Sequence, residues 1–315
     1  MAERRKSMKK HHPTGGVEYY NRISQPVNIL FNLIFTVIAL SCIIPVLFVV
    51  IISISSNESI RQIGYSFFPK EWSISAYSYI WKMRSYIGRA FLVSIGVTTV
   101  GTLLGLFMNS TMGYVLSRRN YKLRNFFTIL IFIPMLFSGG LVSSYLVNTQ
   151  FLRIGNTYWA LILPLCVSSF YIIVLRTFFQ TTIHDSIIES AKMDGASQLL
   201  IYFKIVLPIS LPGLATIGLF LSFAYWNDWF TPMLYIQSDH AHMYTLQYIL
   251  VDIEQNIQNL IRNAQYMMAG ESLANIPSET VRMAIVVVVV LPITMSYPFF
   301  QKYFISGLTI GSVKG

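Results

Sequence analysis

Charged residues are scarce in this chain. Asp, Glu, Lys and Arg make up 11% of its 315 residues, where soluble domains average about 25%. The scarcity is also uneven: no charged residue occurs at 23–57, 90–117, 125–152, 154–175, 205–227 or 283–301. Each stretch can hold the roughly 20 residues that cross a ~30 Å hydrocarbon layer. Soluble helices carry polar residues on their outer face, so charge-free runs of this length exclude one large soluble core. The first run is not a removable signal, because further runs follow and no short apolar core with a small-residue cleavage site is present. Cysteine is nearly absent. Cys42 and Cys166 fall inside the first and fourth runs, make no metal-ligand spacing, and read as small apolar packing residues. Also missing are G-x-x-x-x-G-K-[ST], H-E-x-x-H, G-x-S-x-G and any Cys/His cluster. The chain therefore has no ATPase site of the usual kind, and no catalytic or metal-binding residue is expected in it. His11 and His12 sit in a basic tail, and His240 with His242 is too small a set to hold a metal.

The charges that are present sit between the runs, and their sign sets orientation. The tail 1–22 carries Arg4, Arg5, Lys6, Lys9, Lys10 and Arg22 against Glu3 and Glu18, and "RRNYKLR" (118–124) has no anion at all. After the fifth run, Asp239, Asp252, Glu254, Glu271 and Glu279 outnumber Arg262 and Arg282. The sum places the N-terminus, the 118–124 loop, the 176–204 segment and the C-terminus in the cytoplasm. Loops 58–89 and 236–280 are then outside, although 58–89 is itself fairly basic. The net charge of +10 lies beside membrane ends, which suits anionic lipid and not nucleic acid. The expectation is an all-α integral membrane protein with six transmembrane helices and both termini cytoplasmic. A basic tail (1–26) precedes a transmembrane domain (27–304) and a C-terminal tail (305–315).

Two segments break the regular pattern. "FIPMLFSGGL" (132–141) puts Pro134, Gly139 and Gly140 inside the third run, where they should bend or break the helix. Broken backbone at membrane depth is tolerated where it is buried in protein or lines a cavity; a simple kink near the outer end fits as well. In the 176–204 segment, Ser186-Ile187-Ile188-Glu189 has the capping-box pattern. Ile187, Ile188 and Ala191 form an apolar face, Glu189, Lys192 and Asp194 a polar one, and Gly195 suits a left-handed helix stop. "SQLLIYFKIVLP" (197–208) then leads back to the membrane, with Pro208 and Pro212 marking the start of the fifth span. A short helix of this kind can lie on lipid, pack on its own chain or dock into a partner.

Counting from Ile205 at 1.5 Å per residue puts Trp226–Trp229 about 31–36 Å along, near the outer surface. Tyr225, Trp226 and Trp229 offer aromatic faces and Asn227 and Asp228 hydrogen-bonding groups, the combination that recognises sugars. The same rings could form an interfacial belt; Asp228 favours a wet vestibule, since an ionised group near a span faces water or protein. Beyond them, Leu246, Ile249, Leu250, Ile253, Ile257, Leu260 and Ile261 follow helical spacing. That helix could cap the chain or meet an external partner.

Glu189-Ser190-Ala191, Gly195 and Ile205-Val206-Leu207-Pro208 resemble the EAA loop of permease subunits in bacterial ATP-binding-cassette importers: Glu-Ala-Ala, three residues, Gly, nine residues, Ile-x-Leu-Pro. Ser190 alone departs from that pattern. "YWNDWFTPMLYI" (225–236), "VVLPITMSYPFFQKYF" (289–304) and "GSVKG" (311–315) resemble the carbohydrate-uptake branch, similar to the second permease subunit of the maltose importer. "FSGGLVSSYLV" (137–147) and the insertion 237–280 resemble its group for complex oligo- or polysaccharides. The resemblance implies an importer core over about 86–303 and a cytosolic coupling loop at 184–204. Ser186, Glu189, Ser190, Ala191, Asp194, Gly195, Ile205, Leu207 and Pro208 would dock the ATPase. Gly139 and Gly140 would join Tyr225–Trp229 along the substrate pathway. It also implies a second homologous permease subunit in a heterodimer, an ATPase dimer that binds ATP and Mg in place of any cofactor here, and an extracellular solute-binding protein. The implied location is the bacterial cell membrane. The alternatives are a permease for a non-sugar solute and an autonomous ion-coupled carrier, which would place ionisable groups in its spans.

Overall fold

The computed structural model describes residues 24–255 and 279–312. The cations of the 1–22 tail, the helical positions Ile257, Leu260 and Ile261, and the end of "GSVKG" lie outside the described residues. Among those described no β-strand forms; the sole sheet-like contact is an isolated antiparallel bridge between Ser55 and Trp72.

The chain divides after Val49. The first unit is the body of α1 (Gln25–Ser53), whose side chains are exposed around most of its circumference. The second unit opens with two short helices, α2 (Asn57–Ile63) and α3 (Ser75–Lys82), and the uninterrupted α4 (Arg84–Ser117). By length and composition α1 and α4 can each cross a membrane alone. Three further helix pairs pass the same test only when their two members are taken together, each pair bent at a short break. These are α5 (Arg124–Leu136) with α6 (Gly140–Leu146, extended by a π turn to Phe151), α7 (Tyr158–Cys166) with α8 (Ser169–Thr182), and Gln198–Ile209 with α12 (Leu211–Trp226). Their bends are 118°, 50° and 82°. Between α8 and α12 run α9 (Asp185–Met193), α10 (Gln198–Ile201), a wide π turn (Tyr202–Val206) and α11 (Leu207–Ile209). The chain then forms α13 (Phe230–Tyr235), α14 (246–255) and α15 (Glu279–Ser312), which carries the sixth charge-free run.

Two of these breaks correct the sequence reading. The fourth run was expected to be one span ending near 175. Instead Val167 and Ser168 take extended conformations in its middle, and α8 continues to Thr182. The fifth span was expected to start at Ile205. Pro208 and Pro212 instead flank a corner at Ser210, and the straight helix starts at Leu211. Proline removes a backbone donor and crowds the preceding turn, so a pair of prolines around one residue favours a change of direction.

The core is organised on α4. Val97, Gly101, Gly105, Asn109, Gly113 and Ser117 recur every fourth residue and are all buried. Small residues at this spacing let membrane helices approach to backbone contact. A Cβ built on Gly105 would stand 3.0 Å from the Cys166 carbonyl oxygen, and one on Gly113 3.1 Å from the Arg176 backbone nitrogen. Higher on the same face, Gly101 meets the ring of Tyr225 in α12.

The second unit has two differently built ends. At one end, the 118–124 loop meets α9 through an ion pair from Arg118 to Asp185 at 3.4 Å. At the other, Ala76, Ile87, Ala90, Leu246, Ile249, Val281, Ala284, Ile285 and Val289 form a compact apolar cluster. The apolar face of α14 thus packs on its own chain. Arg282 donates through Nη1 to both carboxylate oxygens of Glu254, at 3.0 and 2.8 Å.

Candidate functional site

Nine residues form α9, and its start differs from the capping-box expectation. His184 is the N-cap and makes no side-chain cap bond, so Ser186 and Glu189 lie inside the helix and do not close its first turn. Burial explains the shift. Ile183, just before the cap, and Ile188, four residues into the helix, are both buried in one cluster, the arrangement of a hydrophobic staple. Asp185 then takes the first helical position, where its carboxylate meets both the helix dipole and Arg118. The inward face consists of Ile188 and Ala191, while Ile187, expected beside them, is exposed.

The end of α9 is closed completely. Gly195 takes φ +80°, a conformation that costs a residue with a Cβ about 1 kcal/mol or more. Its N–H donates to the Lys192 carbonyl at 3.0 Å, and the Ala196 N–H donates to the Ala191 carbonyl at 2.9 Å. Both bonds of a Schellman motif are therefore present. A Cβ on Gly195 would touch nothing within 4 Å, so its requirement is backbone geometry alone. Ser197 caps α10 by accepting the Leu200 N–H at 3.3 Å.

Of the residues expected to dock a partner, Ser186, Glu189, Ser190, Asp194, Gly195 and Pro208 are exposed, Ile205 and Leu207 are half-buried, and Ala191 is buried. Sequence reasoning missed Met193, which is 89% exposed, and Leu199, exposed on the next helix. The available signal for Met193 was its position on the face opposite the inward-facing Ile188 and Ala191. Beside α9 lies a cavity of about 490 Å³ lined by Arg118, Arg119, Tyr121, Asp185, Glu189 and Lys192, among others.

The opposite end of α12 also differs from expectation. From Leu211, a rise of 1.5 Å per residue puts Trp226 about 22 Å along, not 31 Å. Tyr225 is 2% and Trp226 7% exposed. The Tyr225 hydroxyl donates to the Ile162 carbonyl at 2.7 Å and the Trp226 Nε1–H to the Val289 carbonyl at 3.0 Å. Their rings, expected to offer open faces, are packed in the core because each polar tip finds a backbone acceptor there. Asn227 is exposed and donates back to the Phe223 carbonyl at 3.0 Å. Asp228 accepts the Phe230 and Thr231 N–H groups through Oδ1, both at 3.1 Å, which anchors the start of α13. Burial raises its carboxyl above the usual range, opposed by these hydrogen bonds. Trp229 stays exposed.

Gly139 and Gly140 occupy the corner between α5 and α6, both exposed. Beyond this corner the second limb meets the end of α13: Tyr145 stacks on Tyr235 with centroids 6.1 Å apart, and Asn148 donates to the Tyr235 hydroxyl at 3.0 Å. Among the described residues, no group of three or more His, Cys, Asp or Glu could hold a metal ion.

Broken apolar helices around one straight one, with a charged helix closed at its C-terminus between two of the broken pairs, define a multi-pass membrane protein. The chain belongs to the family described as "Binding-protein-dependent transport system inner membrane component", which it matches over residues 97–310. It is 39% identical over 277 residues to the polygalacturonan/rhamnogalacturonan transport system permease protein YtcP of Bacillus subtilis (strain 168), covering 88% of this chain and 94% of that one. To protein LplC of the same organism it is 38% identical over 275 residues, covering 87% and 90%. A crystal structure of a bacterial ABC transporter involved in the import of the acidic polysaccharide alginate contains a chain that superposes with a TM-score of 0.74. That chain is 26% identical, and the match covers 90% of this protein and 99% of the other. The protein is thus a permease subunit of the membrane and not an enzyme.

Proposed function

We propose that this chain forms half of the translocation pathway of an ATP-driven importer for an oligo- or polysaccharide. Six spans, with both termini in the cytoplasm, fit the charge distribution of the loops. Uronate-bearing chains are the first substrates to test, because both polygalacturonan and alginate carry carboxylated sugars. The observation that carries the reading is α9. It sits between the fourth and fifth spans, closed at its C-terminus by Gly195, with its polar face exposed and its apolar face tied into the core. Such an element can receive a push without fraying and hand it to the spans on either side. In this reading Glu189, Ser190, Asp194, Gly195 and Met193 meet an ATPase subunit that binds ATP and Mg, while Ala191, Ile205 and Leu207 hold the loop to the spans. A second, homologous permease subunit completes the pathway, and an extracellular binding protein delivers the sugar.

The substrate end narrows to fewer residues than the sequence suggested. Asn227 and Trp229 remain open to a ligand beside Asp228, and the exposed Gly139–Gly140 corner is a separate candidate for the pathway. Tyr225 and Trp226 serve as supports. The test is uptake of defined oligogalacturonides and oligoalginates by proteoliposomes holding the permease pair, ATPase and binding protein. ATP-dependent uptake of one of them, with neutral oligosaccharides excluded, is expected. Uptake that proceeds without the ATPase would refute the importer reading in favour of an autonomous carrier.

A further inference from the structure

Two adjacent side chains of α4 hold the two arms from which α9 hangs. Asn109 is fully buried. Its Nδ2–H₂ donates to the carbonyls of Gly105 at 2.6 Å and Cys166 at 2.8 Å, and its Oδ1 accepts the Ser168 N–H at 3.0 Å. Cys166 and Ser168 flank the break between α7 and α8, so Asn109 satisfies one acceptor and one donor that the interrupted helix leaves over. Inside a membrane such groups have no water to turn to. A single amide therefore pins the joint of the arm that leads into α9.

Ser110 serves the other arm. It is buried, donates to the Leu106 carbonyl, and lies 2.6 Å from the Tyr202 hydroxyl. The serine hydroxyl also lies 3.2 Å from the Phe107 carbonyl, and either hydroxyl can donate in the Ser110–Tyr202 pair. Tyr202 opens the π turn that carries the chain from α10 towards the Ser210 corner, and its ring packs on Tyr114 of α4 at 5.4 Å. Both arms are segmented, by 50° and 82°, whereas α4 is one continuous helix. The arms have joints, and α4 is the strut against which they are registered.

We propose that Asn109 and Ser110 are positioning residues for energy coupling. Asn109 makes the α7–α8 joint a hinge with a fixed pivot, and the Ser110–Tyr202 bond ties the returning arm to the same strut. Displacement of α9 then rotates α8 against α7 and moves α12 with it, instead of being lost as slippage. This rests on the reading that α9 receives the ATPase.

The experiment uses the complete importer in proteoliposomes and reads sugar taken up per ATP hydrolysed. Asn109→Ala and Tyr202→Phe are expected to assemble with the ATPase and hydrolyse ATP while uptake per ATP falls about five- to tenfold, a size usual for coupling between sites. A purely structural role lowers the amount of complex but leaves that ratio at the wild-type value in whatever assembles, and this result would overturn the proposal. If Asn109→Ala fails to assemble, Tyr202→Phe decides alone, since it deletes one hydroxyl: a lowered ratio supports the proposal and an unchanged one overturns it. Gly195→Trp separates the two readings. Loss of ATPase association in that variant, together with an unchanged ratio in Asn109→Ala and Tyr202→Phe, refutes the hinge alone. Retained association and uptake in Gly195→Trp refutes the docking assignment itself.

Discussion

Replacing Gly101 with alanine tests whether Tyr225 is a packing residue. A Cβ at this position would fall 2.5 Å from Tyr225 Cζ, 2.6 Å from Cε2 and 2.7 Å from Cε1. Carbon atoms in contact settle near 3.5–4.0 Å, so the ring must retreat by about 1 Å. It has no free direction: the residue is buried and its hydroxyl is tied to the Ile162 carbonyl at 2.7 Å. Overpacking of this kind costs about 1–3 kcal/mol, and stretching the buried hydrogen bond adds about 1 kcal/mol. Gly101→Ala should therefore destabilise the purified protein by about 2–4 kcal/mol. The assay is a double-mutant cycle on unfolding in detergent, with Tyr225→Val as the second change. Removing the ring frees the space, so the double variant should be more stable than the two separate costs imply, by on the order of 1–3 kcal/mol. Strict additivity, or a Gly101→Ala protein within about 0.5 kcal/mol of wild type, would show that the close approach is not a constraint. Tyr225 would then be free to serve elsewhere.

Gly195→Asn should retain most uptake, because asparagine tolerates a positive φ, whereas Gly195→Val should lose it at unchanged membrane abundance; equal uptake by the two would remove the left-handed turn from the mechanism. Glu189→Arg should leave helix content and thermal stability unaltered, since Glu189 makes no cap, while weakening capture of the ATPase in a pull-down. Asp228→Ala should leave the Phe230 and Thr231 N–H groups without their acceptor and cost about 1 kcal/mol, while Asp228→Asn keeps an acceptor for both. Comparable unfolding midpoints for these two variants would contradict the anchoring of α13 by Asp228.

The membrane class was legible because absence of charge is a one-dimensional property that no tertiary contact alters. The breaks were less so. Pro134 and the Gly139–Gly140 pair announced the α5–α6 corner, but the α7–α8 joint at Val167–Ser168 has no residue that forbids helix. The groups it frees are satisfied by Asn109, 57 residues before Cys166 and 59 before Ser168, which no local pattern announces. The Ser186–Glu189 pattern was misread because a local motif competed with burial of Ile183 and Ile188, and burial decided where the helix begins. Tyr225 and Trp226 were misplaced for a related reason. An aromatic residue with a polar tip suits an interface or a core equally, and only the carbonyls of Ile162 and Val289 decide which. The four-residue repeat on α4 was passed over in the sequence, because its meaning lies in the partners it packs against.

The end of the bundle opposite α9 has a consequence for how the protein is made. Its closing bonds join residues far apart in the chain: Leu246 donates its N–H to Ser94 Oγ at 2.8 Å, and Thr280 Oγ1 donates to Asn57 Oδ1, also at 2.8 Å. Synthesis runs from the N-terminus, so Asn57 and Ser94 emerge from the ribosome long before their partners exist. Loop closure over such separations also carries an entropic cost that only the finished cluster repays. A nascent chain holding α2 to α13 can insert its helices but cannot seal this end. Arrival of α15 is the step that completes it, and chains stalled before residue 279 should be preferred targets of membrane proteolysis.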